Sequence, residues 1–244
     1  MQRYFVPKEQ FNEDRVTILG DDAYHLIKVL RSEPGDQIIC SNGEGLDVLA
    51  EITSIEAKQV DCRILSKLEG TREPKVEIIL AQGLPKADKM DLIIQKGTEI
   101  GVKSFIPFTS ERTIVQLNDK KEKKRLERWE KIAKEAAEQA QRSVIPNILP
   151  VHSWKELLQI VKNEWSLIAF EQESTKTLYQ VLSNNLEVKR VLLIIGPEGG
   201  FSNQEVIEAE NHGSISISLG NRILRTETAG LVGVANILYH LERG

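Results

Sequence analysis

Gly196, Pro197, Glu198, Gly199 and Gly200 follow directly on the apolar run Val191–Ile195, in the stretch VLLIIGPEGG. Three glycines in five positions let backbone approach a ligand with no Cβ in the way, and Pro197 stiffens the turn. Backbone amides and carbonyls are therefore the expected ligand groups. The spacing is neither GxxxxGKS/T nor GxGxxG, so the rules for nucleoside triphosphates and dinucleotides do not apply. Alone, GPEGG reads equally as a tight strand-to-helix turn. A second stretch, LGNRILRTETAG at 219–230, adds Arg222, Arg225, Glu227 and two threonines between a strand and a helix. A buried or half-buried Arg225–Glu227 arrangement is expensive unless it serves something. His25, His152, His212 and His240 all fall outside these loops, which leaves a Ser/His or Cys/His nucleophile and a His-based metal site poorly supported. Cys40 and Cys62 have no CxxC partner and read as small buried hydrophobes.

The elements that must hold these loops follow from periodicity. Five consecutive apolar residues need cover on both faces, so Val191–Ile195 is predicted to be a central strand of a mostly parallel sheet, with ligands outside its carboxyl end. From Val76 onward apolar strands alternate with helices: VEIILA, a helix around Lys89–Ile100, SFIPF, a long helix over about 119–142, NILPV, a helix through Trp154–Val161, SLIAF, VLLII and SISIS. That alternation predicts an α/β domain. Ser202–Glu205 matches a capping box, and Gly213 suits the left-handed end of the helix it starts. A final helix carries Leu231, Ala235, Leu238 and Leu241 along one face.

Residues 1–70 differ. Short alternating segments, including Val60, Cys62 and Ile64, are separated by the turn signals Pro34-Gly35-Asp36 and Asn42-Gly43-Glu44-Gly45, which predicts a small β-barrel. One helix, DDAYHLIKVLR, is expected to be capped by Asp21 or Asp22, to bury Leu26, Ile27 and Leu30, to show His25, Lys28 and Arg31, and to stop at Pro34-Gly35. The polar segment 71–75 is the expected linker, giving domains 1–70 and 76–244.

The chain has 244 residues, 41% of them apolar, and no run approaching the roughly 18 apolar residues of a membrane span. With charges scattered through MQRYFVPKEQFNEDR, the expected location is the cytoplasm, with no membrane partner. A net charge of −4 speaks against coating nucleic acid by bulk electrostatics, so RNA contacts would need local patches. One candidate is Lys120–Lys134, with eight basic residues against three glutamates; a solvated helix face laced with ion pairs is the other reading. On the same helix Leu126, Trp129, Ala133, Ala136, Ala137 and Ala140 form one stripe.

The motifs HLIKVLR at 25–31, GLPKADKMD at 83–91, KGTEIGV at 96–102, EAAEQAQR at 135–142, GPEGGF at 196–201 and LGNRILRTETA at 219–229 resemble the ribosomal RNA small subunit methyltransferase E family of the SPOUT superfamily. The likeness covers nearly the whole chain. It implies a PUA-like N-terminal barrel, a SPOUT-type parallel sheet with a C-terminal trefoil knot, a homodimer, and no metal. The implied reaction is S-adenosylmethionine-dependent methylation of N3 of a uridine in 16S rRNA of the small ribosomal subunit. Three loops would hold the cofactor: Phe170 and Glu171; Gly196, Pro197, Glu198, Gly199 and Gly200; and Leu219, Gly220, Ile223 and Leu224. Arg225 would stabilise charge on the base, and Glu227 would accept the N3 proton or orient Arg225. Arg3, Lys28 and Arg31 of the barrel, with Lys86, Lys89 and Arg142, are the RNA-binding candidates by resemblance and charge. The rival readings are a non-enzymatic RNA-binding or ribosome-assembly protein on the same fold, and a phosphate-binding enzyme using GPEGG as an anion nest, which the missing Lys-Ser/Thr disfavours.

Overall fold

Helical connections between successive strands force parallel pairing in the larger part of this chain, whereas short turns give antiparallel pairing in the smaller part. The structure, a computed structural model, describes residues 1–69, 72–115 and 118–242; Gly70 and Thr71, at the start of the expected linker, lie outside them. It divides the chain into two units, Met1–Glu73 with Ala137–Ile145, and Pro74–Ala136 with Pro146–Gly244. The first unit thus includes 137–145, a segment that the sequence assigns to the second domain.

The first unit contains β1 (Arg3–Phe5), β2 (Arg15–Leu19), α1 (Gly20–Tyr24), β3 (Gln37–Ser41), β4 (Asp47–Glu56) and β5 (Gln59–Lys67). They form a five-stranded sheet in the order β1-β3-β4-β5-β2, with β1 parallel to β3 and the remaining pairs antiparallel. Register shifts at Leu49/Ala50 and Ile52/Ser54 bend β4 and β5, the two longest strands, so the sheet curls over one apolar cluster that includes Val16, Leu26, Ile38, Val48, Ile52 and Val60. Cys40 and Cys62 lie in that cluster as free, buried thiols. Burial pushes the Cys62 thiol up to about 12 and the Cys40 thiol up as well, so neither is a nucleophile at neutral pH.

The expected helix after β2 is corrected in three respects. It begins at Gly20 with Leu19 as N-cap and no side-chain cap, so Asp21 and Asp22 lie inside the first turn. From His25 to Leu30 it widens into a π turn, which leaves Leu30 exposed with Val29. Arg31, in the left-handed conformation at φ 55°, ends it before Pro34 and Gly35 are reached.

Buried ion pairs hold 137–145 on this unit. Arg142 donates to the Glu73 carboxylate through Nε at 3.1 Å and through Nη2, and Ser143 N–H donates to the same carboxylate. Asp47 accepts from Arg3 Nη1 and from Ser143 Oγ, each at 2.7 Å.

The second unit contains β6 (Glu77–Gly83), α2 (Lys89–Ile100), β7 (Ser104–Thr109), α3 (Asp119–Gln139, whose last residues belong to the first unit), β8 (Asn147–Ile148), β9 (His152–Ser153), α4 (Trp154–Val161), β10 (Ser166–Ala169), α5 (Leu178–Ser183), β11 (Arg190–Ile195), α6 (Asn203–Asn211), β12 (Ile215–Ile217) and α7 (Thr226–Leu241). The sheet runs β12-β10-β11-β6-β7-β8, with β9 also on β7, and every pair is parallel. The run Val191–Ile195 is accordingly central, between β10 and β6. One sheet face, with Ile79, Ile106, Ile168, Leu192 and Ile194, packs with Leu157, Phe201 and Val206. The other takes α7, whose Gly233 would bring a Cβ to 2.7 Å from Leu193 Cδ2. The buried face of α7 is therefore Ala229, Gly230, Gly233, Val234, Ile237 and Leu238, whereas Ala235, expected inside, is exposed.

Ala87, between β6 and α2, is held at φ 53°. An L side chain there costs roughly 1–2 kcal/mol, part of which glycine returns as extra chain entropy in the unfolded state. Ala87→Gly is expected to stabilise the fold by up to about 1 kcal/mol, raising the thermal midpoint by roughly 2–4 °C; an unchanged or lower midpoint would contradict the strain.

Candidate ligand site at the carboxyl ends of the strands

All strands of the second unit point the same way, so the segments after β6, β7, β10, β11 and β12 leave from one edge of the sheet. What fixes them there is a buried polar chain. Gln82, fully buried at the end of β6, donates through Nε2 to Thr226 Oγ1 at 2.8 Å, and Thr226 Oγ1 donates to the Gly196 carbonyl at 2.6 Å. Three remote segments meet at one hydroxyl. Gly83 completes the joint, because a Cβ there would lie 2.5 Å from Pro197 N.

The middle of the GPEGG loop is held from both sides. Glu198 Oε1 accepts from Lys86 N–H and from Lys89 Nζ, each at 3.0 Å. Burial pushes the Glu198 carboxyl up, but these donors outweigh it and hold it below its ordinary value. Arg112 Nη1 donates to the Gly199 carbonyl at 2.9 Å, and a Cβ on Gly199 would meet Arg112 Cβ at 2.9 Å. Glu205, buried in the first turn of α6, accepts from Glu111 N–H at 2.8 Å and Ser202 N–H at 2.9 Å, so its capping box also ties down the 110–113 turn. Arg112, Gln82, Thr226 and Glu205 join the candidate site in the structure without being expected there; of these, only Glu205 carries a local signal, the Ser202-x-x-Glu205 capping box.

Gly200, at φ 65°, faces Glu171: a Cβ there would lie 2.8 Å from Glu171 Oε2. Phe170 N–H donates to the Ile217 carbonyl, and Leu178 N–H to that of Ser218, which fastens the segment after β10 to the end of β12. A cavity of about 340 Å³ opens beside it, lined in part by Leu178, Leu182, Leu219, Gly220, Tyr239 and His240. It shares Leu219 and Gly220 with the third expected loop, and none of its lining comes from GPEGG. Leu219 and Leu224 are half-buried, while Gly220 and Ile223 are exposed.

The expected Arg225–Glu227 pair is corrected. Arg225 occupies the N-cap of α7 with an exposed side chain that makes no ion pair among the described residues. Glu227 instead turns toward Lys89, with Oε2 3.4 Å from Nζ. The exposed guanidinium removes the desolvation cost on which the sequence reading leaned.

The six RNA candidates separate. Arg3 and Arg142 are buried in the ion pairs with Asp47 and Glu73, at 5% and 3% exposure, and cannot present their guanidiniums to RNA. Lys28, Arg31 and Lys86 are exposed, and Lys89 is held between two carboxylates. The Lys120–Lys134 run keeps most of its cations exposed, while Trp129 is buried and donates to Asp91 Oδ1 at 3.1 Å. Among the described residues no group of three or more His, Cys, Asp or Glu could hold a metal ion, and no helix is long and apolar enough to cross a membrane.

Glu173 organises the turn after Phe170. Thr175 Oγ1 and Thr175 N–H donate to its Oε1 at 2.7 Å, and Lys176 N–H donates at 3.1 Å. The Thr175 hydroxyl first, then these amides, hold the carboxyl down to about 2 from an ordinary 4.5. A depressed carboxyl stabilises the turn fully above its unfolded value and ceases to do so as pH falls through the folded one. Protection of the Thr175 and Lys176 amides, with the intrinsic exchange rate divided out, is expected to be constant from neutral pH to about 4.5 and to fall between 4.5 and about 2, with Glu173→Gln abolishing the dependence; protection that does not fall over that interval would contradict it.

Residues 71–238 match the family model described as RNA methyltransferase domain, and residues 18–65 match that described as RNA methyltransferase PUA domain. Among curated relatives, the Ribosomal RNA small subunit methyltransferase E of Bacillus subtilis is 40% identical, covering 99% of this chain and 98% of its own. That of Mesomycoplasma hyopneumoniae is 36% identical over 95% and 96%. Among solved structures, the Neisseria gonorrhoeae Ribosomal RNA small subunit methyltransferase E bound to S-adenosyl methionine is 32% identical with a TM-score of 0.88, covering 98% of this chain and 97% of its own. A Legionella pneumophila protein in complex with its cofactor SAM is 34% identical, with a TM-score of 0.86 and the same coverage. Two domain matches in order, full-length relatives and the two glycine-and-arginine loops agree: the chain belongs to the ribosomal RNA small subunit methyltransferase E family.

Proposed function

We propose that this protein is an S-adenosylmethionine-dependent methyltransferase acting on N3 of a uridine in 16S rRNA of the small ribosomal subunit. The observation that carries the reading is the Gln82–Thr226–Gly196 chain, because it sets the glycine loop beside the segment that ends in Arg225 and Glu227. The residues present fit the cofactor. Gly199 and Gly200 let Arg112 and Glu171 close directly on the loop backbone, the Glu171 carboxylate against Gly200 is an acceptor suited to hydroxyl or ammonium groups, and Leu219 and Leu224 offer half-buried apolar surface. Phe170, Gly196, Pro197, Glu198, Gly220 and Ile223 complete the proposed cofactor loops.

The cofactor, when bound, supplies an electrophilic methyl group. The chain's own tasks are to align the acceptor and to free a lone pair on it. Uridine N3 is a poor nucleophile while protonated, so Glu227, in the first turn of α7, is the proposed acceptor of that proton. Arg225, with no ion pair among the described residues, faces the charge that spreads onto the flanking carbonyl oxygens. A base in a helix cannot reach such a site, so the target is a single-stranded or loop uridine. Lys28, Arg31 and Lys86 are the proposed RNA contacts. We also place the protein in the cytoplasm as a homodimer with the trefoil-knotted chain of its superfamily; the exposed Tyr179, Ile223 and Tyr239, at 67%, 90% and 71%, are the apolar surface a second copy would cover.

The deciding experiment is incubation with S-adenosylmethionine and small subunits from cells lacking the enzyme, with the modified base mapped by mass spectrometry. A methyl on uridine N3 is expected. No incorporated methyl would favour an RNA-binding or assembly protein. Arg225→Ala is expected to lower the rate on the order of 10²-fold or more while calorimetric cofactor affinity changes little; a normal rate would remove Arg225 from the reaction. Gly199→Val, which drives a side chain into Arg112, is expected to abolish cofactor binding with the fold retained, and unchanged affinity would count against the loop as the site.

A further inference from the structure

Lys89 lies in the first turn of α2, where the helix dipole disfavours a cation. Its ammonium is there because two carboxylates from remote segments converge on it: Glu198 Oε1 at 3.0 Å and Glu227 Oε2 at 3.4 Å. The three side chains are 32%, 29% and 15% exposed, and Glu227 Oε2 is buried with no hydrogen bond, so Lys89 is its ionic neighbour. The Lys86 N–H closes the group from the backbone side of Glu198. The hydrogen bond that the ammonium donates to Glu198 above all, against slight burial and with the charges of both glutamates, holds it above its ordinary value.

We infer that Lys89 is a positioning residue that bridges the cofactor loop, through Glu198, to the acidic residue of the catalytic helix, through Glu227, and is not an RNA-phosphate contact. A phosphate approaching Lys89 would meet two carboxylates around one ammonium, a cluster with net charge −1, which repels it. The bridge is the polar counterpart, at the rim of the site, of the buried Gln82–Thr226–Gly196 chain beneath it. By holding Glu198 and Glu227 at fixed separation it sets where a proton acceptor stands relative to the loop carrying the methyl donor. This assignment rests on the proposed role of Glu227.

The test compares Lys89→Met, Lys89→Arg and Glu198→Gln with wild type in steady-state methylation of small subunits, calorimetric binding of S-adenosylmethionine, and affinity for small subunits over a salt series. For Lys89→Met the expected result is a kcat lower by on the order of 10-fold or more and weaker cofactor binding, with subunit affinity and its salt slope unchanged. Lys89→Arg is expected to restore most of the loss. Glu198→Gln, which removes the charge from this arm of the bridge but leaves an amide oxygen as acceptor and does not touch Lys89, is expected to weaken cofactor binding and lower kcat in the same direction, and so covers the case in which Lys89→Met fails to fold. Weaker subunit binding with a salt slope reduced by about one, at unchanged kcat, would make Lys89 a phosphate contact and overturn the inference. Wild-type values throughout would overturn it too. Glu227→Gln, measured alongside, separates the two claims: if it keeps full activity the role of Glu227 fails, while the cofactor affinity of Lys89→Met still tests the bridge.

Discussion

A single hydroxyl, Thr226 Oγ1, sits where the sheet, the glycine loop and the last helix meet. It accepts from a fully buried glutamine and donates to a buried carbonyl, so both of its roles are used. Such bonds contribute only about 1 kcal/mol each to stability, but leaving a buried partner unmatched costs roughly 1–3 kcal/mol. The joint thus tolerates few alternatives and fixes where Gly196 can lie relative to Arg225. Its own imperfection is local: Gln82 Oε1 has no hydrogen bond among the described residues, and Gly230 leaves it room, since a Cβ there would stand at 3.2 Å. The close packing of Gly83 on Pro197 then allows the loop to sit directly on the strand end.

Charge is spent differently in the two units. In the first, Arg3, Asp47, Glu73 and Arg142 form buried pairs that fasten 137–145 to a sheet far away in sequence. Desolvation makes such pairs poor sources of stability, yet breaking one leaves a buried charge uncompensated, so they specify a single arrangement. In the second unit the charges gather at the strand ends, where Lys89 and Arg112 hold the glycine loop from opposite sides. Arg225, exposed and with no ion pair among the described residues, is suited to meet charge arriving from outside.

Much of this was legible in the residues. The glycines of GPEGG leave a tight turn and a close approach equally open until the second loop is considered, while the five apolar residues before them point to a central strand from local composition alone. The same holds for Val60, Cys62 and Ile64, and for the helix Lys89–Ile100, whose apolar periodicity matched its buried side. What failed required knowledge of remote partners. Arg3 and Arg142 look like any surface arginine until Asp47 and Glu73 are placed beside them. Gln82 hides at the end of an apolar strand, and Arg112 lies about 90 residues before the carbonyl it holds. The π turn at His25–Leu30 escaped because periodicity assumes 3.6 residues per turn, and the face of α7 was misjudged because two glycines, which carry no hydrophobic signal, turn out to be its contact with the sheet.

One buried hydroxyl sets the proposed cofactor loop against the proposed catalytic segment. Thr226→Val keeps the shape of the side chain and removes only that hydroxyl, so calorimetry of S-adenosylmethionine binding to this variant, with its thermal midpoint, tests the claim most directly. The account predicts cofactor affinity weaker by on the order of 10-fold or more in a protein that still unfolds cooperatively. Affinity equal to wild type would contradict it.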